Sequence, residues 1–181
     1  LSHHNPLRKG LGFDEVDRDE LISQIMEVSK HVLPLVGASW RVLDEAKKAL
    51  NLDEVPIGAA IFDKDHNLIA SAHNMREVDQ NPVSHAEIIV IQEASKILET
   101  WRLEDTTIAV TVEPDAMCAG AIVNARIKTL LYGVPNLKAG AAYSLYNIPQ
   151  DPRLNHFVEI RENILPHESE VILSSFFESK R

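Results

Sequence analysis

The sequence is poor in cysteine, in basic residues and in long apolar runs, and each shortage excludes a class of protein. One cysteine among 181 residues excludes an internal disulfide and fits a reducing compartment, so we expect a cytoplasmic location. No uncharged apolar run reaches about 18 residues, so no membrane span is expected. The chain has 18 Lys and Arg against 27 Asp and Glu, which argues against a broad basic surface for nucleic acid.

The chain nevertheless contains enough apolar residues for a folded core. They make up 45% of the sequence, and 181 residues suit one domain with some chain to spare. Residues 1–38 are interpreted as an N-terminal extension, in which a flexible leader precedes one helix over Glu20–Leu33 that Pro34 ends. The remainder, residues 39–181, is predicted to be the main domain.

Hydrophobic periodicity predicts alternating strands and helices in residues 39–181. Ser39 is expected to cap a helix over Trp40–Leu50. The predicted strands are 55–62, 68–73, 106–112, 129–134 and 157–160, and the later helices are 84–99, 115–126 with Pro114 in its first turn, and one that begins at Pro166. Residues 136–147 are predicted to be half loop and half short helix. The alternation predicts an α/β fold with helices on both faces of a mixed sheet.

Two short stretches contain the side chains that are best suited to chemistry. S-H-A-E at 84–87 begins a predicted helix, and E-P-D-A-M-C at 113–118 follows a predicted strand. Each piece also has a structural interpretation. S-x-x-E is a capping box, in which Glu87 bonds back to the cap. Asp115 suits a helix N-cap, Cys118 suits a small buried position, and His85 alone is more often structural than a ligand.

Taken together, His85, Asp115 and Cys118 could hold one zinc ion, with Glu87 beside it as a proton carrier. Catalytic zinc takes three protein ligands and leaves one position for water. The zinc deaminase signature is H-x-E followed by P-C-x-x-C, and this chain departs from it only at Asp115. A His, Asp, Cys set keeps the charge of His, Cys, Cys, although a carboxylate is a harder ligand that admits other divalent ions. The remaining candidate ligands, His73 and His156, have no particular support.

Further segments carry a resemblance to a known family. They are V-P-I-G-A at 55–59, Asn74, H-A-E-I at 85–88, M-C-A-G-A at 117–121, K-A-G-A-A at 138–142 and L-N-H-F-V-E-I at 154–160. On these segments, residues from about Trp40 to Arg181 resemble the bacterial tRNA-specific adenosine deaminases of the cytidine deaminase-like superfamily. The K-A-G-A-A and L-N-H-x-V-E-I segments are the more particular to the tRNA enzymes.

The resemblance implies a fold, a reaction and an assembly. The implied fold is a three-layer α/β/α sandwich around a five-stranded mixed sheet, with residues 39–181 as the deaminase domain. The implied reaction is the hydrolytic conversion of adenosine to inosine at the wobble position of a tRNA anticodon arm. It also implies one zinc ion per chain and a homodimer.

The resemblance also implies roles for individual residues. His85 and Cys118 become zinc ligands, Asp115 stands in place of the family's first motif cysteine, and Glu87 becomes the proton shuttle. The implied substrate contacts are Asn74 to the flipped nucleotide, a backbone contact from Ala86, and a pocket lining that includes Val55 and Ile57.

Two other functions stay open at the level of sequence. The first is deamination of a free nucleobase or nucleoside of the guanine or cytosine type, which the acidic composition favours and the K-A-G-A-A segment opposes. The second is a catalytically weak RNA-binding or partner subunit with the same fold. Asp115 favours that reading, and the intact Glu87 opposes it.

Overall fold

The computed structural model describes residues 18–180, and the chain divides into two compact units between Pro34 and Leu35. The first helix, α1 (Arg18–Asn51), contributes residues to both units. Residues 1–17 of the predicted leader lie outside the described residues. Within residues 18–180, no helix combines the length and the apolar composition needed to cross a membrane.

The prediction of two helices separated at Pro34 is wrong, because α1 continues through the proline. Proline removes one backbone hydrogen bond, but its fixed φ is itself helical, so the chain on either side can keep the helical path. After the proline, a buried face at helical spacing, which includes Ala38, Val42 and Ala46, favours helix well before Trp40. Ser39 is therefore buried inside the helix and does not occupy an N-cap.

Five strands form one mixed sheet in the order β2-β1-β3-β4-β5. Their bounds are β1 (Gly58–Phe62), β2 (Leu68–His73), β3 (Thr107–Val112), β4 (Thr129–Val134) and β5 (Glu159–Arg161). β1 pairs antiparallel with β2 and β3, whereas β3, β4 and β5 run parallel. The predicted five-stranded mixed sheet is confirmed, and β2, β3 and β4 all end at the edge where β1 begins.

Helices cover both faces of this sheet. They are α2 (Ala86–Ile97) and α3 (Ala116–Asn124) on one face, and α1 with α4 (Pro166–Ser179) on the other. Alternate residues of one strand show the division, because Ala59 and Ile61 of β1 pack with α2 and α3, whereas Ala60 packs with α1. The three-layer α/β/α sandwich is confirmed.

Two details of the second half differ from the prediction. Residues 136–147 form turns and contain no helix, because the buried Glu113 carboxylate accepts hydrogen bonds from several of their N–H groups, which a helix would use internally. Pro114 precedes the N-cap of α3 instead of lying in its first turn. The predicted terminal helix beginning at Pro166 is confirmed as α4.

Helix α1 approaches the sheet closely at Gly58, the first residue of β1. A Cβ atom at Gly58 would overlap the carbonyl oxygen of Val42 and would lie 2.7 Å from the backbone nitrogen of Ala46. Both atoms belong to the backbone of α1, which cannot move aside as the end of a side chain can. Glycine at position 58 is therefore what allows α1 to lie directly on the strand that leads into the site.

We predict that Gly58→Ala lowers the free energy of unfolding by about 3 kcal/mol or more, because the added methyl group displaces α1. Gly37→Ala is the matched control, since a Cβ at Gly37 meets nothing within 4 Å and alanine favours helix by about 0.5–1 kcal/mol. Urea unfolding of both variants measures the two effects. Equal changes in the two variants would show that the contact with α1 is not tight.

Candidate metal centre

The first half of the site is the beginning of α2. His85 occupies the N-cap position with an extended backbone, and its side chain makes no capping hydrogen bond. Glu87 lies in the first turn and is only 4% exposed. The capping-box interpretation is therefore wrong, because the cap residue is His85 instead of Ser84 and Glu87 is turned toward the interior. Helix capping therefore does not explain why the Glu87 carboxyl group is buried at this position.

The second half of the site is the beginning of α3, just beyond the end of β3. Asp115 is the N-cap residue, and its Oδ1 accepts a hydrogen bond from the backbone N–H of Cys118 at 2.9 Å. This confirms the N-cap interpretation of Asp115. The cap uses one carboxylate oxygen only, and the other, Oδ2, lies 3.4 Å from His85 Nδ1.

The structure brings the four predicted side chains together. Cys118 Sγ lies 3.6 Å from His85 Nδ1, and His85, Glu87 and Cys118 each offer one ligand atom, all within 4.8 Å of one another. Asp115 joins this group through its contact with His85. These side chains converge because α2 and α3 both begin at the edge of the sheet where β2 and β3 end.

Crowding of acidic groups governs the electrostatics of the site. Burial, together with the charge on Asp115, raises the pKa of Glu87 to about 7, although hydrogen bonds from its own backbone N–H and from Cys118 oppose this rise. Burial, with the charges of Glu87 and Asp115, also raises the pKa of the Cys118 thiol well above its ordinary range. A bound cation would reverse these effects, because it favours the carboxylate and the thiolate.

The donor set fits zinc. It offers an imidazole nitrogen, a thiol sulfur and carboxylate oxygens, which are the ligand types of zinc sites, and sulfur together with imidazole disfavours magnesium and calcium. His73 and His156 do not join this group. His73 Nδ1 lies 3.0 Å from Glu45, and His156 Nε2 lies 2.7 Å from the carbonyl oxygen of Ile127.

The residues suggested for substrate contact lie around the same edge of the sheet. Val55 and Ile57 are half-buried just before β1, and the backbone N–H of Asn74 donates to the carbonyl oxygen of Ile57 at 3.0 Å. Ala86 is fully buried in the first turn of α2. The N–H of Met75 donates to the carbonyl oxygen of Ser84 at 3.0 Å, which holds Asn74 close to the beginning of α2.

Sequence reasoning assigned no role to Glu113, which organises the wall beside the metal centre. It is 2% exposed and accepts hydrogen bonds from the backbone N–H groups of Asn136, Ala142, Tyr143 and Ser144. Burial alone would raise the pKa of Glu113, but these bonds and one from the Ser144 hydroxyl hold it below its ordinary value. The sequence feature that could have identified Glu113 is an acidic residue directly after a β-branched run.

Comparison with known proteins agrees with this geometry. The family described as MafB19-like deaminase matches residues 39–181. A solved tRNA:A34 deaminase, from a study of A-to-I editing at the wobble position of transfer RNA, superposes with a TM-score of 0.73 at 36% identity, over 76% of this chain and 99% of its own. A guanine deaminase from Nitrosomonas europaea shares the fold at a TM-score of 0.65 and 18% identity, over 78% and 83% of the two chains. Fold and site together define a deaminase.

Curated relatives narrow this class. The tRNA-specific adenosine deaminase of Bacillus subtilis (strain 168) is 45% identical over 139 residues, which are 77% of this chain and 86% of the relative. The enzyme of the same name from Haemophilus influenzae is 39% identical over 139 residues, 77% of this chain and 80% of its own. The chain belongs to the family of tRNA-specific adenosine deaminases, and the resemblance found in its sequence is confirmed.

The cap that Asp115 provides can be tested without metal. In the presence of a chelator, Asp115→Ala is expected to lower the free energy of unfolding by about 1 kcal/mol, because the N–H of Cys118 loses its acceptor. Asp115→Asn keeps an acceptor oxygen and should lose less than half of that amount. Thermal unfolding of both variants measures the difference, and equal losses would contradict the capping role.

Proposed function

We propose that this chain is a zinc-dependent hydrolytic deaminase that converts adenosine to inosine at the wobble position of a tRNA anticodon. The observation that carries the proposal is the convergence of His85, Asp115 and Cys118 at two helix N-termini, with the buried Glu87 beside them. Family membership supports the same reaction, since the relatives are tRNA-specific adenosine deaminases.

The reaction replaces the amine at C6 of adenine by an oxygen atom from water and releases ammonia. Zinc, when bound, supplies acidity to a water molecule near neutral pH. Glu87 would accept a proton from that water on a carboxylate oxygen and would deliver it to the departing amine. Its burial in the first turn of α2 excludes bulk water from this transfer.

Asp115 is proposed as the third zinc ligand, with His85 and Cys118. Its two oxygens would have separate roles, because Oδ1 accepts a hydrogen bond from the N–H of Cys118 whereas Oδ2 faces His85. One carboxylate would then cap the helix and bind the metal at the same time. The charge of the ligand set equals that of one histidine and two thiolates. The ligands would therefore have largely the same effect on the acidity of a zinc-bound water molecule.

The substrate contacts proposed from the resemblance surround this centre. Asn74 would hydrogen-bond to the flipped nucleotide, Ala86 would offer a backbone contact to the base, and Val55 and Ile57 would line the pocket. A nucleotide must leave its stack to reach such a site, and a single-stranded anticodon loop allows this at low cost.

The proposal also covers the oligomeric state, the location and the domain organisation of the protein. A homodimer in the cytoplasm, where tRNA is modified, agrees with the family, and residues 1–38 are proposed as an extension to a deaminase domain of residues 39–181. The match of the deaminase family to residues 39–181 supports that division.

The charge of the chain favours a second candidate, a deaminase of free bases such as guanine. The net charge is −9, which opposes binding to phosphates, and the exposed Arg153 is already paired with Asp151 at 2.6 Å. A weak partner subunit is the third candidate, and it predicts a stable fold without turnover.

An anticodon stem-loop with adenosine at the wobble position separates these candidates. We expect the wild type to form inosine and Glu87→Gln to be slower by about 100- to 10,000-fold with its metal content unchanged. Glu93→Gln is the matched control, because Glu93 lies on the same helix, its side chain is about half exposed and it pairs with Lys96 at 2.7 Å. Release of ammonia from guanine without any inosine would replace the proposal by the second candidate.

Zinc affinity tests the role of Asp115. Asp115→Cys is expected to raise the affinity for zinc, because a thiolate is the softer ligand. Asp115→Asn should lower it at least about tenfold, or about 1.4 kcal/mol, although the helix cap is kept. Competition with a chromophoric chelator measures both. Equal affinity in wild type, Asp115→Cys and Asp115→Asn would mean that residue 115 is not a ligand.

A further inference from the structure

Glu54 is a fully buried carboxyl group that the chemistry described above does not use. It is 0% exposed and lies just after the end of α1. There Asp53 adopts a left-handed backbone with φ 63°, and the N–H of Glu54 donates back to the carbonyl oxygen of Ala49 at 3.0 Å. This helix ending fixes the backbone from which the Glu54 side chain extends toward the loop that follows β2.

Three donors meet at the Glu54 carboxylate. Nδ2 of Asn74 donates to Oε2 at 2.9 Å, and the backbone N–H groups of Glu77 and Val78 donate to Oε1 at 2.7 and 2.8 Å. A carboxylate only accepts hydrogen bonds, so it must face the amide nitrogen of Asn74 and not the amide oxygen. Reversing the amide would place two acceptors against each other in a buried site, at high cost.

The hydrogen bond to Glu54 therefore fixes the orientation of the Asn74 side-chain amide. Among the described side chains every buried nitrogen or oxygen has a partner, and no described residue donates to Asn74 Oδ1, so this oxygen must reach the surface of an otherwise buried residue. Asn74 thus shows its oxygen, and the second N–H of its amide, on the side away from Glu54. Asn74 itself lies next to the beginning of α2, because the N–H of Met75 donates to the carbonyl oxygen of Ser84 at 3.0 Å.

We propose that Glu54 is a positioning residue, which fixes the order in which the Asn74 amide presents its oxygen and its second N–H to the nucleotide. The inference rests on the proposed function, in which Asn74 contacts the substrate. Glu54→Gln is nearly isosteric and can still accept from Glu77 and Val78 through its amide oxygen. Its amide nitrogen would then face Asn74, which must turn its oxygen inward and reverse the order shown to the substrate.

A double-mutant cycle on inosine formation tests the proposal. Glu54→Gln is expected to raise KM for the anticodon stem-loop roughly tenfold with little change in kcat, because a hydrogen bond is replaced by a mismatched pair. In the Asn74→Ala background the same change should alter KM by less than about twofold, since Glu54 acts through Asn74. Glu45→Gln is the control, because Glu45 is equally buried but binds Ser71 and His73. Additive effects of the two substitutions on KM would overturn the proposal.

A second readout does not depend on turnover. In protein labelled with ¹⁵N at asparagine, the side-chain amide signal of Asn74 is identified by its loss in Asn74→Ala. We expect slow exchange of one of its hydrogens with water in the wild type and rapid exchange of both in Glu54→Gln. An unchanged signal in Glu54→Gln would overturn the proposal. Absence of inosine from the wild type would instead refute the proposed function, while the amide signal still decides the orientation.

Discussion

The contact between His85 and Asp115 is the constraint on which the rest of the site depends. Each residue is the N-cap of a different helix, and each helix begins at the edge where a strand of the same sheet ends. The positive ends of two helix dipoles therefore point at one crevice, where they favour anionic ligands. Cys118 and Glu87 lie in the first turns of α3 and α2 and complete the group.

Buried carboxylates hold the loops around this crevice. Glu113 gathers the turns of residues 136–144, Glu54 gathers the loop after β2, and Glu45 ties α1 to β2 through Ser71 and His73. Each carboxylate accepts at least three hydrogen bonds, which offsets the cost of burying its charge. Some of the acidic residues in this chain of net charge −9 are therefore buried, where they accept the hydrogen bonds that shape its loops.

The fold could be predicted from the sequence because its elements follow simple periodicities. The alternation of strands and helices predicted a mixed sheet with helices on both faces, and the family resemblance implied the three-layer sandwich. The H-A-E and M-C-A-G-A segments indicated which side chains meet. The path of α1 through Pro34 could not be predicted, since packing of Ala38 and Val42 outweighs a local helix-breaking signal. The turns of residues 136–147 were missed for a similar reason, because Glu113 organises them from more than twenty residues away. Glu54 gave no local signal, as its partners lie in a different loop.

The central proposal is that the Asp115 carboxylate both caps α3 and completes a zinc site. A crystal structure of the zinc-loaded protein, with anomalous data on both sides of the zinc absorption edge, tests it most directly. We predict one zinc peak bonded to His85, to Cys118 Sγ at about 2.3 Å and to Asp115 Oδ2 at about 2.0–2.2 Å, with Oδ1 still accepting from the N–H of Cys118. A zinc ion bound without Asp115, or the loss of that cap when zinc binds, would contradict it.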